Sequence, residues 1–159
     1  MAAQSAGLLM FRWHQGALEF LLVHPGGPFF RKKDEGAWTV PKGLVTGGED
    51  LLDTACREFQ EETGIVPEKP FYELGSIKQK GGKIVHAWGF QCPSNLSQWN
   101  PETDLVSNTF EIEWPPKSGK RQRFPEVDQA CWFNFEQAAV KLNPAQVAFI
   151  VAASKKLTP

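Results

Sequence analysis

Glu58, Glu61 and Glu62 lie close together in a segment, Glu49 to Thr63, whose apolar residues Leu52, Cys56 and Phe59 recur at helical spacing. At about 100° per residue, Glu61 falls about 60° to one side of Glu58 and Glu62 about 40° to the other, so the three carboxylates share one face. The apolar set centres about 120° away and is free to face a core. The carboxylates also crowd the last turns, at the negative end of the helix dipole, and Glu58 with Glu62 is a like-charged i,i+4 pair. Each effect costs roughly 0.2–1 kcal/mol on an exposed helix, and a cation relieves both. Oxygen donors on an open face suit a hard divalent ion, magnesium above all, which binds through a few carboxylates and substrate phosphates while keeping water. Arg57 lies about 40° from Glu61, at its i−4 position, where it can hold that carboxylate still. Three glutamates alone more often mark a solvated helix face; the longer pattern decides between the two readings.

From Gly43 to Ile65 the chain reads GLVTGGEDLLDTACREFQEETGI. Gly43, Glu49, Arg57, Glu58, Glu61, Glu62 and Gly64 stand at the fixed positions of the Nudix box, with apolar Phe59 and Ile65 in their places. Seven such identities at average residue usage arise by chance on the order of once in a million chains. The chain therefore resembles the Nudix hydrolases, which cleave a nucleoside diphosphate linked to another group. The flanking strands, Trp38-Thr39-Val40-Pro41-Lys42 and the closing helices extend the likeness over most of the chain. The resemblance implies a loop, helix and loop on an αβα sandwich, with Glu58, Glu61 and Glu62 as metal ligands and a backbone carbonyl at Lys42 or Gly43 beside them. It also implies that Arg57 orients a glutamate and pairs with Glu49. Gly43 and Gly64 read as residues whose backbones need φ > 0. Magnesium is the expected ion, with manganese able to replace it.

Hydrolysis of a phosphoanhydride needs a deprotonated water in line with the leaving group and shielding of the phosphate oxygens. Glu58, Glu61 and Arg57 are the expected catalytic set, with Glu61, or a carboxylate outside the box, taking the proton. Glu102, Glu111, Glu113 and Glu126 are the outside candidates, unranked by sequence. Lys42, Arg31 and Lys33, and Lys120 and Arg121 are expected to hold substrate phosphates. Arg31 to Lys33 follow Phe29 and Phe30, and Lys117 to Arg123 follow Pro115 and Pro116; both stretches read as loops whose cations and aromatics suit a polyphosphate and a base. Trp38 to Gly43 and Gly48-Glu49-Asp50 look most like the hydrolases of diadenosine tetraphosphate. Nucleoside triphosphates, nucleoside diphosphate sugars and inositol pyrophosphates are alternatives. So is a Nudix-fold module that binds a nucleotide without cleaving it, although such modules usually lack one or more of the glutamates present here. His14, His24 and His86 stand apart and read as strand-end or surface residues.

The elements that must position this chemistry follow from the rest of the 159 residues, a length that suits one domain spanning 1–159. A formal net charge of −1 argues against a broad nucleic-acid footprint. The cysteines, Cys56, Cys92 and Cys131, form no CxxC, which suits a reducing compartment. The opening residues lack a signal-peptide pattern and no apolar run is long enough to span a bilayer, so the chain reads as cytoplasmic, without a membrane partner, and as a monomer or homodimer. Ala6–Phe11, Leu18–Val23, Trp38–Val40, Phe71–Ile77, Lys83–Gln91, Thr109–Trp114 and Ala130–Phe133 read as strands. Helices are expected over Glu49–Thr63, Phe135–Leu142 and from Pro144 onward. The fold class is α/β, a mixed sheet flanked by helices.

Overall fold

Strands β1 (Gln4–His14) and β2 (Ala17–Pro25) form an antiparallel hairpin whose apolar runs are buried on both faces. Such two-sided burial is the mark of a strand covered by helices above and below. The computed structural model describes residues 2–158. In it β1 is the centre of a mixed sheet ordered β4 (Tyr72–Lys78), β5 (Ile84–Gln91), β1, β2, β8 (Val127–Asn134). Only β1 and β5 run parallel in that order, and β3 (Lys42–Leu44) pairs antiparallel with Ser5 to Gly7 at the start of β1. One face of the sheet carries α1 (Leu51–Thr63), with Ala55 and Phe59 against Leu8, Met10 and Leu21. The other face, through Leu9, Phe11 and Leu22, packs on α3 (Phe135–Lys141) and α4 (Val147–Lys156). This is the αβα arrangement expected.

Several boundaries differ from the sequence reading, each for a local reason. Trp38–Val40 is not a regular strand. Thr39 makes one bridge to Val23 and Trp38 one to Leu142, and Pro41, which has no N–H to give a ladder, separates them from β3. Helix α1 begins at Leu51 because Glu49 still belongs to the preceding turn, its N–H donating to the Thr46 carbonyl, while Asp50 is extended. The segment after Trp114 is only partly a loop. Arg121–Pro125 is β7, paired antiparallel with β6 (Thr109–Glu113) so that Phe124 faces Phe110 and Arg123 faces Glu111. Its four cations and its prolines hide the two-residue period. The closing helix starts as a 3-10 turn, Pro144–Gln146, before α4. A short helix α2 (Pro101–Asp104), capped by Asn100, carries no apolar stripe long enough to signal itself.

Gln146, 1% exposed, ties the two ends of this architecture together. Its Oε1 accepts from the Val40 N–H at 2.9 Å and its Nε2 donates to Gln79 Oε1 at 2.8 Å. A buried amide satisfied on both sides in this way fixes the approach to β3. His24 stands near the end of β2, one of the two positions expected of it, and is buried there. Its ring lies 2.7 Å from Asp128 Oδ1 and donates through Nε2 to the Lys33 carbonyl at 2.7 Å, which pins the segment after β2.

Phe59 is the anchor of α1, fully buried and edge-on to Phe90 with centroids 5.1 Å apart. Phe59→Ala is expected to cost about 3–5 kcal/mol, read as a shift of the urea midpoint at unchanged slope.

Candidate active site

Helix α1 ends where Gly64 turns left-handed, at φ 82°, and its N–H donates back to the Gln60 carbonyl at 2.8 Å. A Cβ there is disfavoured, so the glycine stops the helix one residue beyond the acidic triplet. On the solvent side of α1, Arg57 binds three carboxylates at once. Nε and Nη2 donate to the two oxygens of Glu49 at 3.0 and 2.9 Å, and Nη1 donates to Glu58 at 2.9 Å and to Glu61 at 3.1 Å. Thr54 adds a hydroxyl bond to Glu49 at 2.7 Å. The pairing of Arg57 with Glu61 and Glu49 is thus present. Glu49, held by Arg57 first and Thr54 second, has its carboxyl kept below the usual range.

Glu62 is the buried member, 8% exposed. Desolvation, then the neighbouring Glu58 charge, pushes its carboxyl up to about 9, against the opposing effect of Lys42. Desolvation and Glu61 raise Glu58 as well. Lys42 moves the other way, down to about 8, through desolvation and then the nearby Lys83. Gly43 does not have the positive φ expected of it; the reason for glycine is space. A Cβ at Gly43 would lie 2.0 Å from the Glu58 carboxyl carbon, far inside van der Waals contact. The β3 backbone and the Glu58 carboxylate therefore touch, which brings a main-chain oxygen donor region against the helix face.

Lys42, Gly43, Arg57, Glu58 and Glu62 line a cleft of about 360 Å³ together with Lys83 and Glu126, and Glu61 stands outside its lining. Glu126 separates itself from the other three outside carboxylates. Burial first, then Glu58 and Glu61, raises its carboxyl. Glu111 is instead paired with Arg121 and Arg123, Glu113 accepts the turn N–H groups of Lys117 and Gly119, and Glu102 lies on α2 along a different cleft. Lys83 carried no signal beyond its place at the start of a strand. Of the expected phosphate-holding cations, only Lys42 lines this cleft. Arg31, Lys33 and Lys120 are exposed on the segment after β2 and on the β6–β7 turn, and Arg121 Nε donates to Glu111 at 3.0 Å.

The donor set fits a hard divalent ion: oxygen only, mutually repelling, and pressed against a glycine backbone. Among the described residues no three acidic, cysteine or histidine side chains are already closed into a metal cage. Arg57 engages Glu58 and Glu61 instead.

The NUDIX domain profile matches residues 1–152, and the chain belongs to that family. It is 41% identical over 126 residues to the mouse bis(5'-nucleosyl)-tetraphosphatase [asymmetrical], a match covering 72% of this chain and 79% of the mouse protein. The rat protein of that name is 38% identical over 100 residues, covering 55% of this chain and 64% of its own length. Among solved structures, a C. elegans Ap4A hydrolase binary complex superposes at TM-score 0.61 with 24% identity over 97% of this chain and 96% of that one. The NUDIX domain of Shewanella oneidensis NrtR complexed with ADP ribose reaches TM-score 0.64 at 18% identity, over 99% and 90%. Both share the fold. Among the described residues no helix is long and apolar enough to cross a membrane.

A raised Glu62 carboxyl means the folded state holds a proton that the unfolded chain has released, so this group's contribution falls as pH rises from about 5 to 9. Glu62→Gln is therefore expected to stabilise the protein in chelator, increasingly toward the alkaline end and not at all near pH 4. Thermal melts across that range check the slope.

Proposed function

We propose that the chain is a divalent-metal-dependent hydrolase of a phosphoanhydride bond in a dinucleoside polyphosphate, with a nucleoside triphosphate as the nearest alternative. The observation that carries this reading is the meeting of Glu58, Glu62, Glu126, Lys42 and Lys83 on one cleft beside the Arg57 clamp. The names of the mouse and rat relatives favour the dinucleoside substrate.

Glu58, Glu61 and Glu62, with the Gly43 carbonyl, would hold magnesium, or manganese in its place. A bound ion of this kind offsets charge on phosphate oxygens and acidifies water. Arg57 keeps Glu58 and Glu61 in register without neutralising them fully, because its charge is spread over three partners. Lys42 and Lys83 face the phosphate chain and offset the charge that grows on its bridging oxygen. Glu126 forms no ion pair among the described residues and stands free to take a proton from water. Glu61 is the other acceptor, at the cost of its bond to Arg57.

Incubating the protein with dinucleoside polyphosphates, triphosphates and sugar nucleotides in magnesium, then weighing the products, tests substrate and bond together. Turnover of a sugar nucleotide with diadenosine tetraphosphate untouched would refute the substrate class, and no turnover of any would favour a binding module. Chelator should abolish turnover, and manganese should restore it. Glu61→Gln is expected to lower kcat more than about a thousandfold with the melt unchanged; activity within threefold of the parent removes its role. Loss of the acid limb of the pH–rate profile in Glu126→Gln would assign the proton to Glu126, and its retention would assign it to Glu61.

A further inference from the structure

The two basic stretches, more than eighty residues apart in sequence, are built into one object. At its base, the Asn108 N–H donates to the Glu61 carbonyl at 2.8 Å, the Glu126 N–H to the Asn108 carbonyl at 2.8 Å, and the Gly26 N–H to the Glu126 carbonyl at 2.9 Å. The β6–β7 ribbon therefore springs from the last turn of α1 and carries Glu126 at its root. From there the segment after β2 runs along the ribbon. Gly27 lies against the Phe110 ring, so closely that a Cβ would come within 2.8 Å, and Phe29 meets Trp114 edge-on with centroids 5.4 Å apart. Phe29 is nonetheless 62% exposed. Arg31 and Lys32 follow Phe29 in the chain, and Lys117 and Lys120 follow Trp114, whose N–H donates to the Lys120 carbonyl at 2.9 Å.

Charge within the ribbon is sorted. Glu111 is taken by Arg121 and Arg123, and Glu113 by the turn amides. Among the described residues, Arg31, Lys32, Lys117 and Lys120 make no ion pair. Five paired positions at about 3.4 Å each make the ribbon about 17 Å long, so its tip stands well away from the Glu61 backbone. Cations carried on that tip suit the far part of an elongated ligand better than the bond being cut.

Building on the hydrolase reading, we propose that the β6–β7 ribbon and residues 26–33 form a recognition arm that grips the distal phosphates and terminal base of an extended polyphosphate nucleotide. Lys117, Lys120, Arg31 and Lys32 attract the phosphates, and the open face of Phe29 beside Trp114 receives the base. A chain with net charge −1 and four such cations suits a small polyanion better than a nucleic-acid backbone.

Calorimetry on the whole protein in chelator, with diadenosine tetraphosphate and AMP as probes, tests the arm without requiring turnover. Lys117→Ala/Lys120→Ala is expected to weaken the tetraphosphate about tenfold and AMP less than twofold, and Lys117→Arg/Lys120→Arg to restore it. Phe29→Ala should weaken the tetraphosphate severalfold while inorganic tripolyphosphate is unchanged. Equal losses for both nucleotides, or none, overturn the arm. So does a tenfold loss confined to a single-stranded oligonucleotide, which would make the ribbon a nucleic-acid contact. Because binding is read separately from hydrolysis, an arm that discriminates in a protein without turnover would sink the hydrolase reading alone.

Discussion

One guanidinium shared among three carboxylates is the interaction on which the site depends. Glu58, Glu61 and Glu62 repel one another at the negative end of their helix, and left to themselves they would splay or fray the last turn. Arg57 prevents that by binding Glu58 and Glu61 while anchored at its far side by Glu49. The anchor lies in the turn before the helix, so the clamp joins both ends of α1. An exposed pair of this kind is worth little alone. Four groups held in one geometry gain order from each other, because each bond fixes the rotamer that the next one needs.

Around that clamp the fold supplies two things that the helix cannot. The β1–β3 ladder presents a backbone without a side chain at Gly43, flush against the Glu58 carboxylate. The segment from Asn108 to Glu126 supplies a fourth carboxylate through a loop bonded to the main chain of Glu61. Burial of Glu62 beside Lys42 then stores electrostatic tension, with acid and base each pulled from its ordinary protonation range toward neutrality. The proposed function would have a cation and a polyanion, arriving together, relieve both halves.

The helix, its two faces and the Arg57 pairing were legible in the chain, because periodicity and i,i+4 geometry are local properties. The mixed sheet was legible in outline for the same reason. Gly43 was read as a torsional requirement where the structure shows a spatial one, since close approach across two elements leaves no mark in sequence. Glu126 could not be ranked above Glu102, Glu111 or Glu113, for its distinction lies in which main-chain bonds turn it toward α1. The β7 strand was hidden by cations whose partner, Glu111, lies ten residues away from Arg121 across a turn. The strand-end place of His24 was legible but its burial was not, because the groups that permit it, Asp128 and the Lys33 carbonyl, come from other parts of the chain.

Gln146 reaches from the C-terminal turn to the backbone just ahead of Lys42. The chain's last stretch is thereby moored to the segment that sets Gly43 against Glu58, through an amide with no slack on either side. Damage at the tail would then be felt first as a drifting of Gly43 away from Glu58, long before the sheet itself gave way.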